Sequence, residues 1–193
     1  MGTARTKFLS AAAFFYFLWV LQSYSGLLEF NRQQILSGEV WRLWTGHLVH
    51  TDSLHFSLNI VAALIIYFTF FTGTKFGELL VCSFVFATLI SITLLCIYPS
   101  LVWYNGLSGL LHALAAYFSM RLARDEGRMF WVGLAIVWGK VLIEAVRAHF
   151  GYESPIGDMT VITEAHFIGA FFGTTTAIIC MTYLRGKGNP EHN

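Results

Sequence analysis

Charge is the scarcest thing in this sequence. Asp, Glu, Lys and Arg together make up 12% of its 193 residues, the net charge is +1, and no block of like charges interrupts the chain. So neutral a chain offers no basic face to nucleic acid and no charged tail to a partner, which sets nucleic-acid binding aside. Cysteine is sparse too. Cys82, Cys96 and Cys180 each lie inside an apolar run, where they fit small buried hydrophobes and not a disulfide or zinc framework. An internal repeat, a low-complexity tract, a boundary to a second domain and an H-E-x-x-H motif are all missing. Apolar surface is what the chain has in quantity. With 56% hydrophobic residues and a mean hydropathy of +0.61, it is too apolar for a soluble domain and long enough for about six spans of roughly 20 residues.

Apolar runs occupy residues 8–28, 54–71, 79–98, 107–123, 130–146 and 163–184. In hydrocarbon only a helix satisfies its own backbone within one segment, so each run predicts a transmembrane helix. The first, preceded by Arg5 and Lys7, is longer than a secretory signal core and lacks a small-x-small cleavage site. The expectation is therefore an all-α membrane protein, a single domain over residues 1–193 made of six transmembrane helices in a lipid bilayer. Two connections are longer than the rest, at 29–53 and 148–162. Loops rich in Lys and Arg stay in the cytoplasm. With both termini inside, Arg5, Lys7, Lys75, Arg121, Arg124, Arg128, Arg185 and Lys187 are cytoplasmic, and only Arg32, Arg42 and Arg147 lie outside.

That orientation makes the second, fourth and sixth helices all run inward from the outer surface. Their first turns then share one depth. The second carries His50, Asp52, His55 and Asn59, the sixth Glu164 and His166, and the fourth opens the stretch WYNGLSGLLHALAAYF with Gly106, Ser108 and His112. Taken alone, Ser108 reads as a small packing residue bonded to its own helix, and His166 as a core histidine bonded to a carbonyl. Polar side chains at membrane depth are costly and usually functional, and these converge in one leaflet. A serine, histidines and an asparagine at one level supply a nucleophile, a base and donors for a developing oxyanion. His55 and Asn59, four apart, lie on one helix face. Gly169 and Gly173, also four apart, allow the sixth helix to approach the fourth closely.

These residues resemble those of the rhomboid intramembrane serine proteases. The resemblance is carried by VWRLWTGHLVHTDSLHFSLN, with Trp41, Arg42, His50, His55 and Asn59, by GLSG at residues 106–109, and by AHFIGAFFG with His166, Gly169 and Gly173. It implies a six-helix rhomboid-like bundle in which Ser108 is the nucleophile and His166 the general base of a dyad needing no third carboxylate. The oxyanion hole would comprise the His55 and Asn59 side chains and the Ser108 N–H, with His50, Gly106 and His112 in support. The GLSGLLHAL form most resembles the rhombosortase branch, associated with exported bacterial proteins that carry a C-terminal Gly-Gly-containing anchor. Substrates are then single-span membrane proteins, and the location a bacterial inner membrane with the site near its periplasmic face. His112 departs from the commoner pattern, an aromatic that packs on the catalytic imidazole, and stands as a rival base.

Other residues receive simpler readings. His47 is expected as an interfacial loop residue and Trp41-Arg42 as structural. Lys140 and Glu144, one turn apart in the fifth helix, are expected to pair with each other facing the bundle, with a place at the substrate entrance as the alternative. No cofactor and no metal is implied. Two further readings stand beside the protease: a catalytically inactive rhomboid-like protein that binds membrane clients, and a metal-dependent enzyme using His50, His55 and His166.

Overall fold

The computed structural model describes residues 2–71, 74–152 and 162–187. Residues 153–161 of the second long connection lie outside the described part, as do the side chains of Arg5, Lys7, Arg185 and Lys187 used to orient the chain. Six long helices stand where the apolar runs lie: α1 (Gly2–Leu21), α2 (Ser53–Ile66), α3 (Phe76–Ile97), α4 (Ser108–Asp125), α5 (Trp131–His149) and α6 (Thr163–Lys187). Among the described residues four helical stretches, Ser53–Phe70, Phe76–Ile97, Arg128–His149 and Thr163–Tyr183, are long and apolar enough to cross a membrane. The chain is thus a mostly helical, multi-pass membrane protein. α2 begins where Asp52 accepts a hydrogen bond from the His55 N–H at 2.8 Å, an N-cap that satisfies an otherwise orphaned donor.

α4 is the hub. It packs against α2, α3, α5 and α6, and its contact with α6 is the most extensive in the molecule. Every residue of α4 from Gly109 through Met120 is buried. This explains its modest hydropathy: sheathed by other helices, α4 does not have to satisfy lipid and can carry polar residues. The α4–α6 seam is built from small residues. A Cβ on Gly169 would run into the Gly109 carbonyl oxygen, and one on Gly173 into the Ala113 carbonyl oxygen. Two backbones in direct contact, with no side chains between them, bring the first turns of both helices together. At the opposite end Arg121 pairs with Glu78, tying α4 to α3.

The 29–53 connection is ordered, and two of its arginines hold it. Arg42, 4% exposed, donates to the Glu39 carboxylate at 2.7 Å and to the carbonyls of Gly26 and Glu29 at 3.1 and 2.9 Å. Arg32 donates to the carbonyls of Leu94, Tyr98 and Leu101 at 3.0, 2.8 and 2.9 Å. A guanidinium there satisfies orphan carbonyls and complements the negative end of the α3 dipole. The all-α expectation needs one amendment, because β1 (Phe30–Asn31) pairs antiparallel with β2 (Trp103–Tyr104), Phe30 opposite Tyr104. This clasp ties the connection to the turn that leads into α4. The cysteine expectation needs one correction: all three are free and Cys82 and Cys180 pack partly buried against the core, but Cys96 lies exposed on α3.

The α4–α6 seam yields a prediction. Gly169→Ala and Gly173→Ala each lower the stability of the detergent-solubilised protein by about 1–3 kcal/mol, the usual cost of overpacking. Gly139→Ala, where an added Cβ meets nothing within 4 Å, leaves it unchanged or slightly raised. Thermal unfolding of the three variants checks this.

Candidate active site

Ser108 opens α4, so its own backbone N–H has no partner within the helix. Its hydroxyl meets the imidazole of His166, in the first turn of α6, with Oγ and Nε2 2.7 Å apart. His166 is 3% exposed, and its other nitrogen, Nδ1, lies 2.8 Å from Glu144 Oε2 on α5. An ionised carboxylate only accepts, so Nδ1 carries the proton and Nε2 presents a lone pair to the serine. Lys140 pairs with the other carboxylate oxygen, Oε1, its Nζ 3.4 Å from His166 Nδ1.

His112 stacks flat on His166, the rings 4.3 Å apart and inclined by 15°. Its Nδ1 donates to the Ser108 carbonyl, one turn back, at 2.7 Å. The stacked position expected of an aromatic is therefore taken by an imidazole that bonds to the serine's backbone, whereas the His166 ring bonds to its hydroxyl.

The turn before Ser108 is shaped from two sides. Gly106 has φ +119°, a conformation that favours glycine, and a Cβ there would lie 2.8 Å from Cε1 and 3.0 Å from Nε2 of His55. Only glycine lets the His55 imidazole rest against this turn. His55 and Asn59 are both buried on one face of α2, and Asn59 uses one amide hydrogen on the His55 carbonyl at 3.0 Å. The second amide hydrogen remains for another acceptor. His50 lies edge-on to His55, the rings 5.1 Å apart, and its Nε2 accepts the Leu107 N–H at 3.4 Å.

Gln22, which drew no attention in the sequence, completes this support. Its Oε1 accepts from the His50 N–H at 2.8 Å and lies 3.3 Å from His50 Nδ1. Its Nε2 donates to the Leu18 and Leu48 carbonyls at 2.6 and 3.0 Å. The expectation for His47 is overturned. It is no interfacial loop residue but 1% exposed, with Nε2 at 3.0 Å from Ser91 Oγ and Nδ1 at 3.3 Å from the Tyr104 hydroxyl. Tyr104 in turn donates to the Gly106 carbonyl at 2.7 Å. A histidine can be buried there because α3 supplies a hydroxyl and β2 a phenol. The reading of Lys140 and Glu144 as a self-contained pair is also incomplete, since Glu144 reaches His166. Among the described residues no three His, Cys, Asp or Glu side chains are grouped so as to hold a metal ion.

A family model described as Rhomboid domain matches residues 37–183, from the first connection to near the end of α6. No curated protein matches the chain.

The two supporting histidines make stability depend on pH. Burial pushes His47 down to about 4, against a hydrogen bond with the Ala87 carbonyl. Burial, with a smaller contribution from His55 and opposition from Asp52, pushes His50 down to about 4 as well. Below pH ~6.5 the unfolded chain binds protons at these positions and the folded one does not. Their contribution is complete above pH ~6.5 and is lost as pH falls towards 4. Unfolding midpoints measured between pH 7.5 and 5, mostly above the carboxylate range, decline with acidification, and the slope is shallower in His50→Gln.

Proposed function

The chain belongs to the rhomboid family, a family of intramembrane proteases that act on membrane proteins within the bilayer, and on that footing we propose that it is a serine endopeptidase working through Ser108 and His166. The observation that carries this reading is the 2.7 Å contact between His166 Nε2 and Ser108 Oγ across the α4–α6 seam. A neutral hydroxyl is a poor nucleophile until a base within hydrogen-bond reach accepts its proton. As Ser108 Oγ bonds to the scissile carbonyl carbon, its proton passes to His166 Nε2 and the carbonyl π electrons move onto oxygen. The oxyanion faces donors from the Ser108 N–H, His55 and Asn59. On collapse the C–N bond breaks and the Nε2 proton goes to the leaving amine. Water, deprotonated by the same imidazole, then releases the acyl group from Ser108.

The substrate follows from the depth of the site. A peptide bond within a transmembrane helix is shielded by helical hydrogen bonding, so the segment must unwind before cleavage. Each glycine lowers that cost by roughly 1 kcal/mol relative to alanine. A Gly-Gly segment ahead of a C-terminal membrane helix, on an exported bacterial protein, meets this demand and agrees with the rhombosortase-like GLSGLLHAL form. In this reading the whole chain is one six-span domain of the bacterial inner membrane, both termini cytoplasmic and the site near the periplasmic face. The three-to-eight asymmetry of basic residues supports that orientation. Arg32 and Arg42, two of the three outer arginines, bond to protein groups at the surface assigned to the periplasm.

The test is cleavage of a single-span Gly-Gly-anchored substrate by purified protein in detergent. Wild type cleaves it, and Ser108→Ala loses at least about 10⁴-fold in kcat. Asn59→Ala and His55→Ala each lose about 10²–10³-fold, as expected for an oxyanion donor. Equal cleavage by wild type and Ser108→Ala contradicts the dyad, and a folded wild type that cleaves nothing favours a client-binding protein.

A further inference from the structure

Among the described residues Glu144 is the carboxylate bonded to the reacting pair, and a two-residue mechanism leaves it without a task. It sits five residues short of the end of α5, and a rise of about 1.5 Å per residue puts it roughly 7.5 Å along the axis from His149. An ionised carboxylate at that depth is costly. It is nevertheless bonded on both oxygens, Oε1 to Lys140 Nζ and Oε2 to His166 Nδ1. Its side chain is 19% exposed, against 3% for His166 and 49% for Lys140. The three groups thus run from a half-exposed cation, through a mostly buried anion, to a buried imidazole.

We infer that Glu144 is a positioning residue for His166: paired with Lys140 through its other oxygen, it fixes the imidazole with Nδ1 protonated and Nε2 facing Ser108, and balances the imidazolium formed when the serine proton arrives. This rests on the reading of Ser108 and His166 as the reacting pair. No bond to substrate is involved. The Ser108 proton moves to Nε2, Nδ1 keeps its own, and Glu144 stays a carboxylate throughout. Neutral imidazole has two tautomers, and only one leaves Nε2 free to accept; a carboxylate at Nδ1 selects it. The flat stack of His112 restrains the plane of the ring but not the choice of tautomer. Glu144 does both, and it ties the orientation of the base to the position of α5.

The signature is in the pH profile. Among the described residues, the groups that act on His166 are Glu144 and Lys140 from α5, Ser108 and His112 from α4, His55 from α2, and Glu164 on its own helix. Removing the nearest anion disfavours the imidazolium, so the acid limb of kcat/KM moves to lower pH while the plateau drops. Removing the nearest cation does the reverse to the limb. Wild type, Glu144→Gln, Glu144→Asp and Lys140→Met are compared on the Gly-Gly-anchored substrate in detergent from pH 5 to 9. The expected results for Glu144→Gln are a fall in kcat of about 10²-fold or more, KM within about threefold, and an acid limb at lower pH. Glu144→Asp recovers part of the loss, and Lys140→Met moves the limb upward.

A kcat and acid limb in Glu144→Gln that match wild type overturn the inference. So does a downward shift of the limb in Lys140→Met, which decides the matter even if Glu144→Gln does not fold. Cleavage by wild type that persists in Ser108→Ala defeats the underlying dyad and the inference with it. Loss in Ser108→Ala with no effect of Glu144→Gln defeats the inference alone.

Discussion

A hydrogen bond between a serine and a histidine on different helices requires the two backbones to come almost into contact. That constraint governs the rest of the molecule. Neither Ser108 nor His166 is long, and the 2.7 Å between Ser108 Oγ and His166 Nε2 exists because Gly109 and Ala113 of α4 face Gly169 and Gly173 of α6. Lipid tails are as apolar as leucine side chains, so burying leucine gains little within a bilayer, and packing of small residues takes over. The price of bringing the backbones together is that both helices lose the bulk with which soluble helices associate. α4 recovers contact by being surrounded on all sides by its neighbours.

Holding the two helices together does not by itself shape the turn that carries Ser108. Three polar chains do so from outside the helical seam. His50, fixed by Gln22, accepts the Leu107 N–H. Tyr104, backed by His47 and Ser91, donates to the Gly106 carbonyl. The third comes through Arg32 and the Phe30–Tyr104 clasp, which anchors the first connection on the end of α3. Each ends in a backbone group of the 104–107 turn or its immediate neighbour. His50 is neutral, because its Nε2 accepts the Leu107 N–H, and burial pushes both His47 and His50 towards the neutral form.

Much of this was legible from residue types and spacing. The six apolar runs correspond to six helices, and the glycines four apart in α6 do lie against α4. The first turns of α2, α4 and α6 also come together. What escaped has a common physical cause. His47, Gln22 and Tyr104 find partners 57 or fewer positions away in the chain, and no periodicity reports on such pairing. Glu144 was hidden by a plausible local explanation: Lys140, one turn away, neutralises it in one dimension, and nothing in that pair asks for a third group. The available signal was depth. α5 runs antiparallel to α4 and α6, so a residue near the end of α5 stands level with the starts of the other two. Cys96 misled for the opposite reason, since an apolar run in a membrane protein includes residues that face lipid.

The most direct measurement of the central claim is covalent. Folded protein in detergent micelles is treated with a fluorophosphonate, and the adduct is located by peptide mass spectrometry. A hydroxyl activated by the His166 imidazole takes a single adduct at Ser108, and a folded His166→Ala variant takes none. Unmodified Ser108 in folded wild type, or equal modification with and without the imidazole, would contradict the account.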